Sequence, residues 1–180
     1  MNKKVLIISL IVLVVVILGI YQLTMAKSES TKVLLETNYG NITLKLRADM
    51  PITAGNFKSL VEKGTYDNII FHRVIQGFMI QGGDPTGTGY GSSSIPNIPD
   101  EFLGKQQNNR GTIAMANAGP DTGGSQFFIN AKANNFLDDK HTVFGKVTAG
   151  MDVVHSIEHT PVDDSDKPLT PVVIRNITMK

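Results

Sequence analysis

Apolar and polar residues alternate strictly from Asn41 to Arg47, with Ile42, Leu44 and Leu46 on one side. That period of two marks a half-buried strand. Val33 to Thr37 precedes it, and Asn38-Tyr39-Gly40 supplies a turn, so the two segments predict a hairpin. The rhythm changes over Pro51 to Lys63, where Phe57, Leu60 and Val61 fall at i, i+3, i+4 and Gly64 takes the C-cap place of a helix. Further short strands are predicted at Phe71–Ile75, Phe78–Gln81, Gly111–Ala116, Gln126–Asn130, Val143–Val147 and Val172–Met179. A second helix is predicted at Ala149–Ile157, with Met151, Val154 and Ile157 on its apolar side. Gly82 to Ser94 is rich in Gly and Ser and reads as a long surface loop. Many short strands with glycine-rich turns and only two helices predict a mainly β fold, a closed antiparallel barrel.

A different pattern occupies the N-terminus. Val5 to Leu23 is a run of 19 residues, mostly Val, Ile and Leu. A helix crosses the hydrocarbon with about 17–25 such residues, whereas the apolar stretch of a cleaved signal usually has about 7–15. The expected organisation is a cytoplasmic stub at 1–4, a transmembrane signal anchor at 5–23, a tether at 24–31 and one domain at 32–180. Lys3 and Lys4 hold the N-terminus inside, which sends that domain to the outer side of the cell membrane. Cleavage after Thr24-Met25-Ala26, giving a secreted protein, is the alternative.

Composition narrows the chemistry. Of 180 residues, 41% are hydrophobic and 18% charged, so a disordered chain is excluded. With no cysteine there is no disulfide framework, thiolate nucleophile or Cys-based metal site. Setting aside Lys3 and Lys4 leaves 15 basic against 16 acidic residues, a poor balance for binding nucleic acid.

One constellation stands out. In Phe71-His72-Arg73-Val74-Ile75-Gln76-Gly77-Phe78-Met79-Ile80-Gln81-Gly82-Gly83-Asp84, the residues Arg73, Met79 and Gln81 share parity, unless a bulge at Gly77 breaks the phase. Downstream, Gln126 and Phe128 share one parity while Phe127 and Ile129 take the other, which suits a core. An arginine and two glutamines beside Met and Phe make an apolar slot with a few fixed donors, suited to a neutral amide. By spacing alone, a strand arginine paired with a nearby acid is the better explanation of Arg73.

These segments resemble the signature of the cyclophilin family of peptidyl-prolyl cis–trans isomerases. Met115-Ala116-Asn117-Ala118-Gly119-Pro120 with Gly124-Ser125-Gln126-Phe127-Phe128-Ile129 is similar too, as is Phe136-Leu137-Asp138 with Lys140-His141 and Val143-Phe144-Gly145-Lys146-Val147. The blocks follow the family's order, and the likeness runs from about Lys32 to Lys180. The resemblance implies a closed eight-stranded antiparallel β-barrel capped by two α-helices. It implies that Arg73 is catalytic and that Phe78, Met79 and Phe128 wall a proline pocket, with Leu137 and His141 at the rim. Gln81 and Gln126 would hold Arg73 and the ligand, and Ala116, Asn117 and Ala118 would bind the peptide backbone. The expected partners are proline-containing, unfolded or flexible polypeptides, handled by a monomer without cofactor or metal. A proline-peptide binding module with little turnover is the alternative.

Three positions depart from the family pattern. Phe136, at the groove edge, stands where many members carry tryptophan; losing an indole donor there implies weaker binding of cyclosporin-type ligands. Gln76 replaces a proline found in several relatives, and Asp121 stands where Asn is common.

Other motifs lead elsewhere. His155-Ser156-Ile157-Glu158-His159 fits the H-x-x-E-H pattern of a metalloprotease class, with both histidines on one helix face. Pro161 ends the helix, and no His, Glu or Cys follows His159, so the further ligand that zinc catalysis needs is missing and a solvated helix end is the better reading. Gly87-Thr88-Gly89-Tyr90-Gly91 is followed by Ser92 where a phosphate loop has its third glycine, and no helix pattern follows. Asp163-Asp164-Ser165-Asp166 lacks the glycine and glutamate of a calcium loop and reads as a polar turn. Asn41-Ile42-Thr43 and Asn176-Ile177-Thr178 fit the glycosylation pattern, which arises often by chance.

Overall fold

The computed structural model describes residues 31–104 and 106–180. The predicted anchor, stub and most of the tether lie outside the described residues. No helix among the described residues is long and apolar enough to cross a membrane.

Nine strands alternate with two helices. The strands are β1 (Lys32–Thr37), β2 (Gly40–Leu46), β3 (Ile69–Ile70), β4 (Arg73–Ile75), β5 (Met79–Gly82), β6 (Thr112–Met115), β7 (Phe127–Asn130), β8 (Val143–Ala149) and β9 (Val173–Met179). Helix α1 spans Pro51–Glu62 and α2 spans Met151–Glu158, and a 3₁₀ turn covers Asn135–Leu137. The strands form one sheet in the order β3-β9-β1-β2-β8-β6-β7-β5-β4, antiparallel in every pair.

This corrects the expected closed eight-stranded barrel. The strand predicted at Phe71–Ile75 forms only as β4, and the residues just before it make a separate, unpredicted strand, β3; β3 pairs with β9, β4 pairs with β5, and these are the two ends of the sheet. Consecutive residues of a regular strand face opposite ways. Phe71 and His72 break that rule, since both are buried. The sheet therefore curls until its two edges meet at that dipeptide, and no ladder joins β3 to β4 among the described residues.

The inner face of the curl holds the main core. Alternation in β2 puts Ile42, Leu44 and Leu46 inside, all buried, and β7 adds Phe127 and Ile129. Phe57 of α1 packs among Tyr66, Phe127 and Phe144, with ring centroids 5.1–5.6 Å apart. Such offset and edge-on aromatic packing adds about 0.5–1.5 kcal/mol per pair beyond area burial. Helix α1 has no side-chain cap of its own. Its free N-terminal amides Ile52 and Thr53 are instead taken by the buried Glu101 carboxylate, at 3.2 and 2.9 Å. Helix α2 buries Val154, Ile157 and Glu158.

Candidate active site

A second apolar cluster lies on the opposite face of the sheet from the main core. Met79, Ala114, Phe128 and Val143 form it, with Ile75, Phe78, Ala116 and Leu137 packed against them. Strand register explains why these residues meet. Arg73 pairs with Gln81 and Ile75 with Met79 across the β4–β5 hairpin, while Gln81 pairs with Phe128 across β5–β7. Paired residues share a face. Ala114, opposite Phe128 on β6, is small and leaves room above the ring. Gln76 to Phe78 form the turn between β4 and β5, so Gly77 does not alter the phase.

The cluster floors a cavity of about 340 Å³ lined by Arg73, Phe78, Met79, Gln81, Ala116, Asn117, Phe128, Leu137 and His141. A neighbouring, more polar cavity of about 640 Å³ shares Gln81, Ala116 and Asn117 with it, and Ala118 and Gln126 line this second space. The predicted residues thus fall along one continuous groove, except Phe136. That side chain is exposed and stacks on Phe78, with centroids 5.9 Å apart and planes at 18°. It supports a wall of the first cavity rather than lining it.

Each polar group is held in place. Gln81 Nε2 donates to Gln126 Oε1 at 2.9 Å, and Gln126 Nε2 donates to the Gly89 carbonyl at 2.9 Å. Asn117 Nδ2 donates to the Lys140 carbonyl, and the Ala118 amide donates to Thr122 Oγ1, each at 2.8 Å. His141 Nδ1 lies 3.1 Å from the Met115 carbonyl, and its ring stands edge-on to Phe128 at 5.3 Å. Burial is the largest influence on this imidazole and holds its pKa below the ordinary histidine value.

Arg73 is held differently from expectation. The two glutamines bond to each other, and the guanidinium Nε donates to Asp166 Oδ2 at 3.3 Å. The η nitrogens make no hydrogen bond among the described residues. Asp166 is itself fixed: its amide donates to the Asp163 carbonyl and its carbonyl accepts from Val74, in a left-handed conformation with φ +62°.

Sequence reasoning missed two further parts of the site. Asp166 was read only as one acid in a polar turn, with nothing to link it to β4. Buried Asp84 organises the loop that carries Gly89: its carboxylate accepts from the amides of Thr86, Thr88, Gly89 and Gly91 and from the Thr86 hydroxyl. Burial would push this carboxyl up, but those hydrogen bonds hold it below the usual value. Gly83 beside it has φ +88°, and a Cβ there would fall 2.5 Å from the Ser125 carbonyl oxygen. Only glycine lets the loop back onto β7 so closely.

Residues 32–179 match the family model described as cyclophilin type peptidyl-prolyl cis-trans isomerase/CLD. The chain is 49% identical over 154 residues to peptidyl-prolyl cis-trans isomerase cyp15 of Rhizopus delemar, covering 83% of this chain and 24% of that protein. It is 46% identical over 151 residues to peptidyl-prolyl cis-trans isomerase-like 3 of Dictyostelium discoideum, covering 82% of this chain and 94% of that one. The chain thus spans about a quarter of the first relative's length and nearly all of the second's. Among solved structures, a Cryptosporidium parvum cyclophilin type peptidyl-prolyl cis-trans isomerase, crystallised in the presence of the dipeptide Ala-Pro, matches with a TM-score of 0.79 and 38% identity over 83% of this chain and 98% of that one.

Proposed function

The chain belongs to the cyclophilin-type peptidyl-prolyl cis–trans isomerase family, and on that premise we propose that its domain accelerates rotation about Xaa-Pro bonds in extracytoplasmic polypeptides and so assists their folding. The observation that carries the reading is Arg73 on the rim of an apolar cavity walled by Phe78, Met79 and Phe128.

Rotation about a peptide bond faces a barrier of about 18–20 kcal/mol because resonance must be broken. At Xaa-Pro the spontaneous exchange takes tens to hundreds of seconds. A turnover near 10³ per second needs about five decades, or about 7 kcal/mol of barrier reduction. Twisting returns a lone pair to the prolyl nitrogen. A guanidinium beside that nitrogen donates to the growing lone pair, an interaction the planar ground state does not offer. Among the described residues the η nitrogens of Arg73 have no partner, so they serve this while Nε stays with Asp166. One such donor supplies about 10²–10³ in rate. The remainder comes from holding the proline ring on Met79 and Phe128 while the acyl side turns.

The groove continues past Gln81 and Asn117 into the second cavity, which suits a polypeptide running on from the proline. Ala116, Asn117 and Ala118 line that cavity and would bind the peptide backbone. The apolar run Val5–Leu23 and its flanking Lys3 and Lys4 support a single-pass anchor with the domain outside the cytoplasm.

A protease-coupled cis/trans assay with an Xaa-Pro peptide tests the activity. Peptide binding without acceleration would make the domain a non-catalytic proline-peptide module. For location, added protease should digest the domain in intact cells and N-terminal sequencing should find Met1 or Asn2 retained; a protected domain contradicts the topology.

A further inference from the structure

At the C-terminal end of α2, His155, Glu158 and His159 each present one ligand atom, all within 4.8 Å of one another. We propose that these three side chains bind a single divalent transition-metal ion, of the Zn²⁺, Ni²⁺ or Cu²⁺ class, in a site that is not catalytic.

Two of the three ligands are oriented as metal ligands are, by a second bond from the atom that stays off the ion. His159 Nδ1 lies 2.8 Å from the carbonyl of His155. A carbonyl only accepts, so the Nδ1 carries the proton and the Nε2 keeps its lone pair. Glu158 is buried, and its Oε2 accepts the Gly77 amide at 2.8 Å, which leaves Oε1 for the ion. That Oε1 accepts from His155 Nδ1 at 3.0 Å, and an ion bound there would displace this proton. The spacing i, i+3, i+4 puts all three on one helix face.

The geometry is within reach. Ligands at about 2.1 Å in tetrahedral array lie about 3.4 Å apart. The imidazoles of His155 and His159 are both exposed and so have room to turn inward from the present spacing, which is within 4.8 Å. Two imidazoles and one carboxylate select Zn²⁺, Ni²⁺ and Cu²⁺ over Ca²⁺ and Mg²⁺, which want oxygen alone. Water completes the shell. There is no cysteine to compete, and the other two histidines are placed elsewhere: His72 is buried and His141 lines the first cavity.

The site also has a mechanical link to the groove. Glu158 joins α2 to Gly77, and the next residue is Phe78. An ion on Oε1 would therefore brace the β4–β5 turn beside the proline cavity.

Calorimetric titration of the full, untagged chain with ZnCl₂ and NiCl₂ tests the proposal. One equivalent should bind, and H155A/H159A should weaken binding at least tenfold. No binding at millimolar metal, or binding unchanged in the double variant, would overturn it. Because a variant could be disturbed for other reasons, Cu²⁺ added to the unaltered chain gives a second readout. It should broaden the imidazole proton resonances of His155 and His159 first, and broadening of His72 or His141 instead would equally overturn the site.

Discussion

The Nε–H of Arg73 donates to Asp166 Oδ2 at 3.3 Å, joining residues 93 positions apart, while the same arginine lines the apolar cavity of about 340 Å³. The contact is longer than the about 2.7–2.9 Å of a strong charge-assisted bond. Both side chains are also substantially exposed, at 45% and 40%. Exposed pairs of this kind contribute about 0–1 kcal/mol to stability. The consequence is aim rather than strength: Asp166 holds one side of the guanidinium and leaves the η nitrogens to face a ligand.

Replacing Asp166 with Asn keeps the left-handed backbone, which Asn tolerates, and removes the charge. Asp166→Asn should lower kcat/KM by about three- to tenfold, mainly through kcat, as expected for loss of orientation without loss of the donor. Thermal stability should barely change. Steady-state kinetics and a melting curve check both, and unchanged kinetics would mean that the charge of Asp166 plays no part.

Phe136 offers a gain-of-binding test. It stacks on Phe78 at the edge of the groove and is 63% exposed. Phe136→Trp restores an indole donor while keeping the stack. A donor is worth about 0.5–1.5 kcal/mol, so affinity for a cyclosporin-type ligand should rise about two- to twelvefold. Direct titration of both proteins with that ligand measures it, and isomerisation should be little affected.

The pH dependence follows from two histidines. Burial is the largest influence on His72 and His141 and pushes both below the ordinary value near 6.5. For His72, nearby Asp84 opposes that shift while Arg73 and Lys167 add to it; for His141, the Met115 carbonyl and Asp100 oppose it while Lys140 adds to it. Between the lowered folded pKa and 6.5, the unfolded chain binds more protons. Stability from these groups is therefore complete above about pH 6.5 and is lost as pH falls toward the folded values. Melting temperature should drop over that window, and His72→Gln should flatten part of the drop. A flat profile in the unaltered protein would contradict the burial argument.

Much of this was legible locally. Alternation through 41–47 gave β2 and its buried face, and the shared parity of Arg73, Met79 and Gln81 survives because the β4–β5 register pairs 73 with 81 and 75 with 79. The opposite parity of Phe127 and Phe128 separates main core from groove, as the structure has it. What the sequence could not show lies in contacts between distant segments. Glu101 caps α1 from 48 residues away, and Asp166 reaches Arg73 from the far end of the chain. The break between β3 and β4 was hidden because Phe71 and His72, which lie between them, sit in a run that reads as continuous β. Their joint burial is a property of the curl, not of the local pattern.

The measurement that bears most directly on the role of Arg73 is the protease-coupled isomerisation rate of Arg73→Ala and Arg73→Lys beside the unaltered chain. Loss of the guanidinium should reduce kcat/KM by about 10²–10³, and lysine, a point charge on a flexible stem, should recover little of it. An alanine variant that isomerises Xaa-Pro peptides at the unaltered rate would contradict the account.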